Sequence, residues 1–134
     1  MRKLSLFFVL IGFFLVSCNP KEPVVKTHSV TEISANAAVG SGEVVEDGRA
    51  EVTARGICWS TVENPTIADG HSNAGAGLGS FTSTMTELLS NTTYYVRAYA
   101  TNSEGTSYGE QVSFMTLEEI IELATVNTSL VTSI

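Results

Sequence analysis

The chain has 134 residues with seven basic against fourteen acidic side chains, a formal charge of −7, and that length allows one ordinary domain and little more. From Cys18 onward only five basic residues face the fourteen acidic ones, a charge of −9, which makes nucleic acid a poor partner because Lys and Arg must neutralise its phosphates. Apolar residues make up 43%, and the body beyond the N-terminal greasy run is rich in Thr, Ser, Val, Ala and Gly, so it reads as a folded β-rich domain rather than an acidic disordered tail.

Met1-Arg2-Lys3 precedes thirteen mostly apolar residues, Leu4 to Val16, and then Ser17-Cys18-Asn19-Pro20. Basic region, apolar region and cleavage site come in the order of a secretion signal. The apolar run falls well short of the roughly 20 residues that span a bilayer. Leu15-Val16-Ser17-Cys18 resembles the lipobox of bacterial lipoproteins. That resemblance implies a signal peptide over residues 1–17 and a diacylglycerol on the Cys18 thiol, so that the membrane becomes a partner through Cys18. With two or three acyl chains the attachment is stable. Residues 18–23 contain two prolines and read as a tether. Lys21-Glu22 resembles a weak form of the signal that directs some Gram-negative lipoproteins to the outer face of the outer membrane, and its single acid leaves the inner and outer leaflets both open.

Residues 24–117 carry turn signals at intervals and no sustained helical period, the pattern of a β-sandwich or barrel. Thr27 to Ile33 and Ala35 to Val45 read as strands, the second built from unusually small residues, and Glu46-Asp47-Gly48 suits a tight hairpin. Glu51 to Ser60 is a third strand carrying Trp59, with Gly56 leaving open which of Ile57, Cys58 and Trp59 point inward. A glycine-rich loop runs from Asn64 to Gly79, and Ser80 to Leu88 resumes as a strand. Thr92 to Thr101 is the clearest strand. Its alternation places Tyr94, Val96, Ala98 and Ala100 inside and Tyr95, Arg97 and Tyr99 outside. Asn102 to Gly105 turns the chain into a final strand, Thr106 to Met115, with Val112 and Phe114 in the core.

Leu88, Thr92, Tyr94, Val96, Ala98, Ala100, Asn102 and Gly105 together resemble the fibronectin type III signature around strand F. The resemblance implies an all-β, immunoglobulin-like sandwich of about seven strands, with Leu88 and the Tyr94 hydroxyl tying the turn between strands E and F in a tyrosine corner. Ser90 stands where the family usually has proline. Arg55 to Ser60, Asn64-Pro65-Thr66 and the stretch from Thr92 to Gly109 resemble, more narrowly, the fibronectin-type repeats of Gram-negative cell-surface lipoproteins. These imply a display or adhesion module without an active site or cofactor.

Val25 to Ile33 and Val126 to Ile134 share the pattern V-x-T-x-x-V-T-x-I at an offset of 101 residues. A domain-sized period is how tandem repeats show themselves. Residues 118–134 thus read as a linker and the start of a truncated second repeat, and the chance agreement of two Thr/Val-rich stretches is the competing account.

Few residues offer chemistry. A catalytic cysteine needs a base, and only His28 and His71 are present, so Cys58 in its strand reads as a buried inert thiol. Two histidines without a Cys/His cluster give no zinc site. Glu43, Glu46 and Asp47 lack the fuller loop of a calcium site and read as a solvated acidic turn. Gly75 to Gly79 lacks the lysine and following helix of a phosphate loop and reads as mobile. Tyr95, Arg97 and Tyr99 form either an outward platform for a sugar or peptide or simply aromatics suited to a strand. The expected function is a lipid-anchored binding or spacer module with a protein or glycan partner. The alternative is the glycan-binding accessory domain of a longer polysaccharide-degrading enzyme.

Overall fold

A computed structural model describes residues 19–120. Cys18, the expected signal peptide at residues 1–17 and the repeat-like segment at 126–134 lie outside the described residues. Eight antiparallel strands occur among the described residues, with no helix: β1 (Val24–Thr27), β2 (Ala38–Glu46), β3 (Ala54–Ser60), β4 (Gly70–His71), β5 (Gly79–Met85), β6 (Thr93–Asn102), β7 (Gly105–Tyr108) and β8 (Val112–Met115). One sheet has the order β1-β2-β5. The other runs β4-β3-β6-β7, with β8 also on β6. The two face each other around Val25, Ala38, Val44, Ile57, Phe81, Met85, Tyr94, Val96, Ala98 and Ala100, which is the two-layer solution for sheets with one apolar face.

The inward set expected in β6 is buried as alternation requires. The small residues of β2 have a packing reason. A Cβ on Gly42 would lie 2.6 Å from that of Ala98, so glycine there lets the two sheets close on each other.

Several boundaries differ from expectation. The first strand lies upstream, at Val24–Thr27, because Val25 fills the core and the Thr27 hydroxyl turns away to accept the Ala98 N–H at 2.9 Å. The following stretch keeps only scattered bonds to β2, such as His28 N to Ser41 O and the Thr31–Val39 bridge. β2 starts at Ala38 because the Ser34 hydroxyl accepts the Ala37 N–H and closes a local turn first. Glu46-Asp47-Gly48 is not a hairpin, since β2 and β3 belong to different sheets. It is a crossover, held by the Asp47 carboxylate on the Arg49 N–H at 2.8 Å. The last strand splits at Gly109, against which Thr27 packs with no room for a side chain. Val112 and Phe114 are partly buried against the core, and Phe114 stacks on Tyr94.

β3 pairs with β6 in unbroken register, so Gly56 marks no bulge; the Ser72 carbonyl passes where its side chain would be. Ile57 and Trp59 share the inward phase, opposite Ala98 and Val96. Ile57 is fully buried, whereas Trp59 sits at the core margin, half-buried over Gly70. Of residues 18–23, expected as a tether, Lys21 is already joined to the domain: its N–H donates to the Gly48 carbonyl at 2.7 Å.

Candidate functional site

β6 presents Tyr95, Arg97 and Tyr99 on one face, as its period dictates, but they do not form an open platform. The segment between β3 and β5 folds back over this face. Arg97 donates from Nε and Nη2 to the Pro65 carbonyl at 2.9 and 2.7 Å, and its guanidinium lies 4.2 Å above the Tyr108 ring. Cation–π and bidentate contacts of this kind suit arginine and not lysine. The Tyr108 hydroxyl in turn accepts the Ile67 N–H. Tyr99 is only 4% exposed, and its hydroxyl donates to the Ser72 carbonyl at 2.7 Å. Tyr95 alone of the three is left half-exposed without such a partner among the described residues. Of the two readings of these residues, the platform has little open surface left, because the face is largely covered by the domain's own loop.

The glycine-rich stretch is pinned as well, contrary to the expectation of a mobile loop. Arg55 points inward, in phase with Ile57, and its guanidinium donates to the carbonyls of Ala74, Gly77 and Leu78 while lying 5.2 Å over the Phe81 ring. Backbone bonds from Arg55 to Gly75, from Ala74 to Arg55 and from Gly77 to Val52 stitch the same stretch along β3. The Ser83 hydroxyl meets that of Ser72 at 2.6 Å and joins the rims of the two sheets. Sequence reasoning passed over Arg55. An arginine in phase with core residues of a strand was the available sign.

Cys58 lies directly across from His71 in the β3–β4 register, so the fold does bring a thiol beside an imidazole. Yet Cys58 is fully buried and its thiol points to the Pro65 and Arg97 carbonyls at 3.5 and 3.4 Å. Burial pushes that thiol up from 9.0 to about 11, with nearby Arg97 pulling the other way and too weakly to cancel it. A group so far above neutral pH supplies almost no thiolate. His71 is exposed and uses Nδ1 on the Asp69 carbonyl, while its ring meets Tyr99 edge-on. Burial also raises the Tyr99 hydroxyl, with smaller contributions from Cys58 and Tyr108. His28 is on the other sheet, 3.6 Å from Glu43. No group of three or more His, Cys, Asp or Glu side chains among the described residues is placed to hold a metal ion.

At the E–F corner the Tyr94 hydroxyl accepts the Leu89 N–H at 2.8 Å beside buried Leu88. The Thr116 hydroxyl donates to the Leu89 carbonyl and accepts the Thr92 N–H. This is the tied turn that the resemblance to strand F implies. Ser90, in place of proline, has its carbonyl capped by the Thr92 hydroxyl at 2.8 Å.

No family model matches the chain, and no curated protein matches it significantly. Among solved structures, the sixth fibronectin type III domain of human fibronectin type III domain containing protein 3 is similar at 27% identity and a TM-score of 0.54, over 79% of this chain and 93% of that one. The structure of a myokine is similar at 25% identity and 0.52, over 75% of this chain and all of that one. The sensor domain of the anti-sigma factor RsgI4 from Pseudobacteroides cellulosolvens matches in fold, at 18% identity and 0.54, over 74% and 98% of the two chains. The described residues thus form a fibronectin type III-like β-sandwich.

Proposed function

We propose that this chain is a lipid-anchored cell-envelope protein whose sandwich serves as a non-catalytic binding or spacer module. The observation that carries the non-catalytic part is the fate of the reactive groups on the β3–β6 face. The Cys58 thiol, the Arg97 guanidinium and the Tyr99 hydroxyl all end on backbone carbonyls of the same domain, as does the Arg55 guanidinium on the inner side of β3. Groups spent in this way hold a shape and do not await a substrate. The fibronectin type III-like fold supports a module that presents surface. The lipid anchor rests on Leu15-Val16-Ser17-Cys18, and the outer membrane is its proposed location.

Metabolic labelling with a clickable fatty acid tests the anchor. The wild-type chain takes up label and Cys18→Ala does not; equal labelling of both overturns it. Hydrolysis of envelope polysaccharides by the purified wild-type chain, retained in Cys58→Ala and abolished by His71→Ala, would overturn the non-catalytic reading.

A further inference from the structure

The N-terminal segment is clamped to one end of the sandwich. The Lys21 N–H donates to Gly48 O at 2.7 Å, and its carbonyl accepts the Asn102 side-chain amide at 2.6 Å. Asn102 is 4% exposed, donates as well to Asp47 O at 2.9 Å, and accepts the Glu104 N–H at 2.8 Å. One buried amide therefore ties three chain segments. Two glycines leave room for it. A Cβ on Gly48 would strike the Lys21 carbonyl, and one on Gly105 would lie 2.6 Å from the Glu22 carboxylate; both glycines have positive φ, at 73° and 150°.

β2 and β6 both finish at this end, at Glu46 and Asn102. The opposite end holds the E–F corner and the chain's exit, where Leu88 N bonds Asn36 O and Leu117 N bonds Ser34 O. The ten residues of β6 put about 30 Å between the two ends at roughly 3.3 Å per residue. Only three residue steps separate Cys18 from clamped Lys21, a reach of at most about 11 Å.

Resting on the lipid-anchor reading above, we infer that the sandwich stands end-on at the bilayer, with the turns around Gly48 and Glu104 against the lipid surface and the E–F corner held away from it. Lys21 and Arg49 share that end with Glu22, Glu46, Asp47 and Glu104. The excess of acid gives no attraction to anionic headgroups. The covalent lipid and the Asn102 clamp set the orientation, which is therefore the same on zwitterionic and anionic vesicles.

The test uses the full lipidated chain in phosphatidylcholine vesicles, with a fluorophore on Glu104→Cys or on Leu89→Cys and a quencher on the lipid headgroups. Quenching several-fold stronger at position 104 than at 89 is expected. Ten Gly/Ser residues inserted between Pro20 and Lys21 should bring the ratio close to one, because such a linker spans about 5–6 Å × √n. Amide exchange tests the clamp without any membrane. Lys21 is protected in the wild type and exchanges at least tenfold faster in Asn102→Ala. The insertion variant leaves Asn102 intact should that substitution unfold the domain. A chain that does not float with vesicles overturns the anchor and the orientation with it. A chain that floats but quenches equally at both positions, or an unprotected Lys21 amide, overturns the orientation alone.

Discussion

The two sheets bury their strands differently. In the β1-β2-β5 sheet, β2 and β5 alternate between buried and open positions, and Ser41, Glu43, Ser80, Thr82 and Thr84 leave the outer face polar. In the other sheet β6 is buried on both sides near its C-terminal half: Ala98, Tyr99 and Ala100 are consecutive and all buried. β3 shows the same run at Gly56, Ile57 and Cys58. The difference comes from the segment between β3 and β5, which roofs the second sheet and leaves the first bare. A strand with a clean alternating pattern can thus still lose its polar face to a distant loop.

If the comparison is sound, substitutions in the two-sided sheet should cost much more than matched ones on the bare face. The largest loss is expected for Ile57→Ala, about 2–5 kcal/mol by urea unfolding, since a fully buried side chain leaves a cavity between the sheets. A cost below about 1 kcal/mol would mean the sheets collapse around the gap. Arg97→Ala should cost about 1–3 kcal/mol by leaving the Pro65 carbonyl only the weak Cys58 thiol as donor, and it should expose Cys58 to a thiol reagent under native conditions. Arg97→Lys is expected to rescue only part of both effects. Tyr99→Phe removes a single hydroxyl bond to Ser72, about 0.5–1.5 kcal/mol. Thr82→Ala, on the bare face, should stay within about 0.5 kcal/mol.

The buried thiol adds a pH signature to the roofed side. Its folded value, about 11, lies above its ordinary 9.0, so between those values the unfolded chain loses the proton and the folded chain keeps it. Stability should therefore fall as pH rises from about 9 toward 11, by up to about 1.4 kcal/mol per unit. Tyr99, also raised, acts in the same direction at higher pH. Urea midpoints at pH 8, 9 and 10 should fall less in Cys58→Ala than in the wild type. Parallel slopes would mean that the roof admits water to the thiol.

Much of this was legible in the sequence. Period-2 alternation identified the inward side chains of β6, a local consequence of backbone geometry, while the tied corner was implied by the resemblance of the stretch from Leu88 to Gly105 to the strand F signature. The sequence left two readings of Tyr95, Arg97 and Tyr99, a platform or plain strand aromatics, because the roof over Tyr99 is supplied by Ser72, twenty-seven residues away. Gly56 left the direction of Trp59 open, and its half-buried place at the strand end rests on Gly70 of a distant segment lying under its ring, which no local pattern shows. The split of the last strand depends on Thr27 reaching Ala98 across the sandwich, a contact that no local pattern encodes. Asn102 was noticed only as part of a signature. Its physical role appears once three separated segments meet on its amide.

The Thr27 contact has a mechanical meaning. Load entering at the N-terminus and leaving near Leu117 runs along the strands between opposite ends of the domain. Antiparallel ladder bonds lie perpendicular to the strands, so the β1–β2 pairs from Val25 to Thr27 are sheared together instead of opening one at a time. The Thr27 hydroxyl on Ala98 adds a rivet to the opposite sheet. The Lys21 clamp lies ahead of both in the line of pull. It would part first and pay out slack before the sandwich itself bears the force.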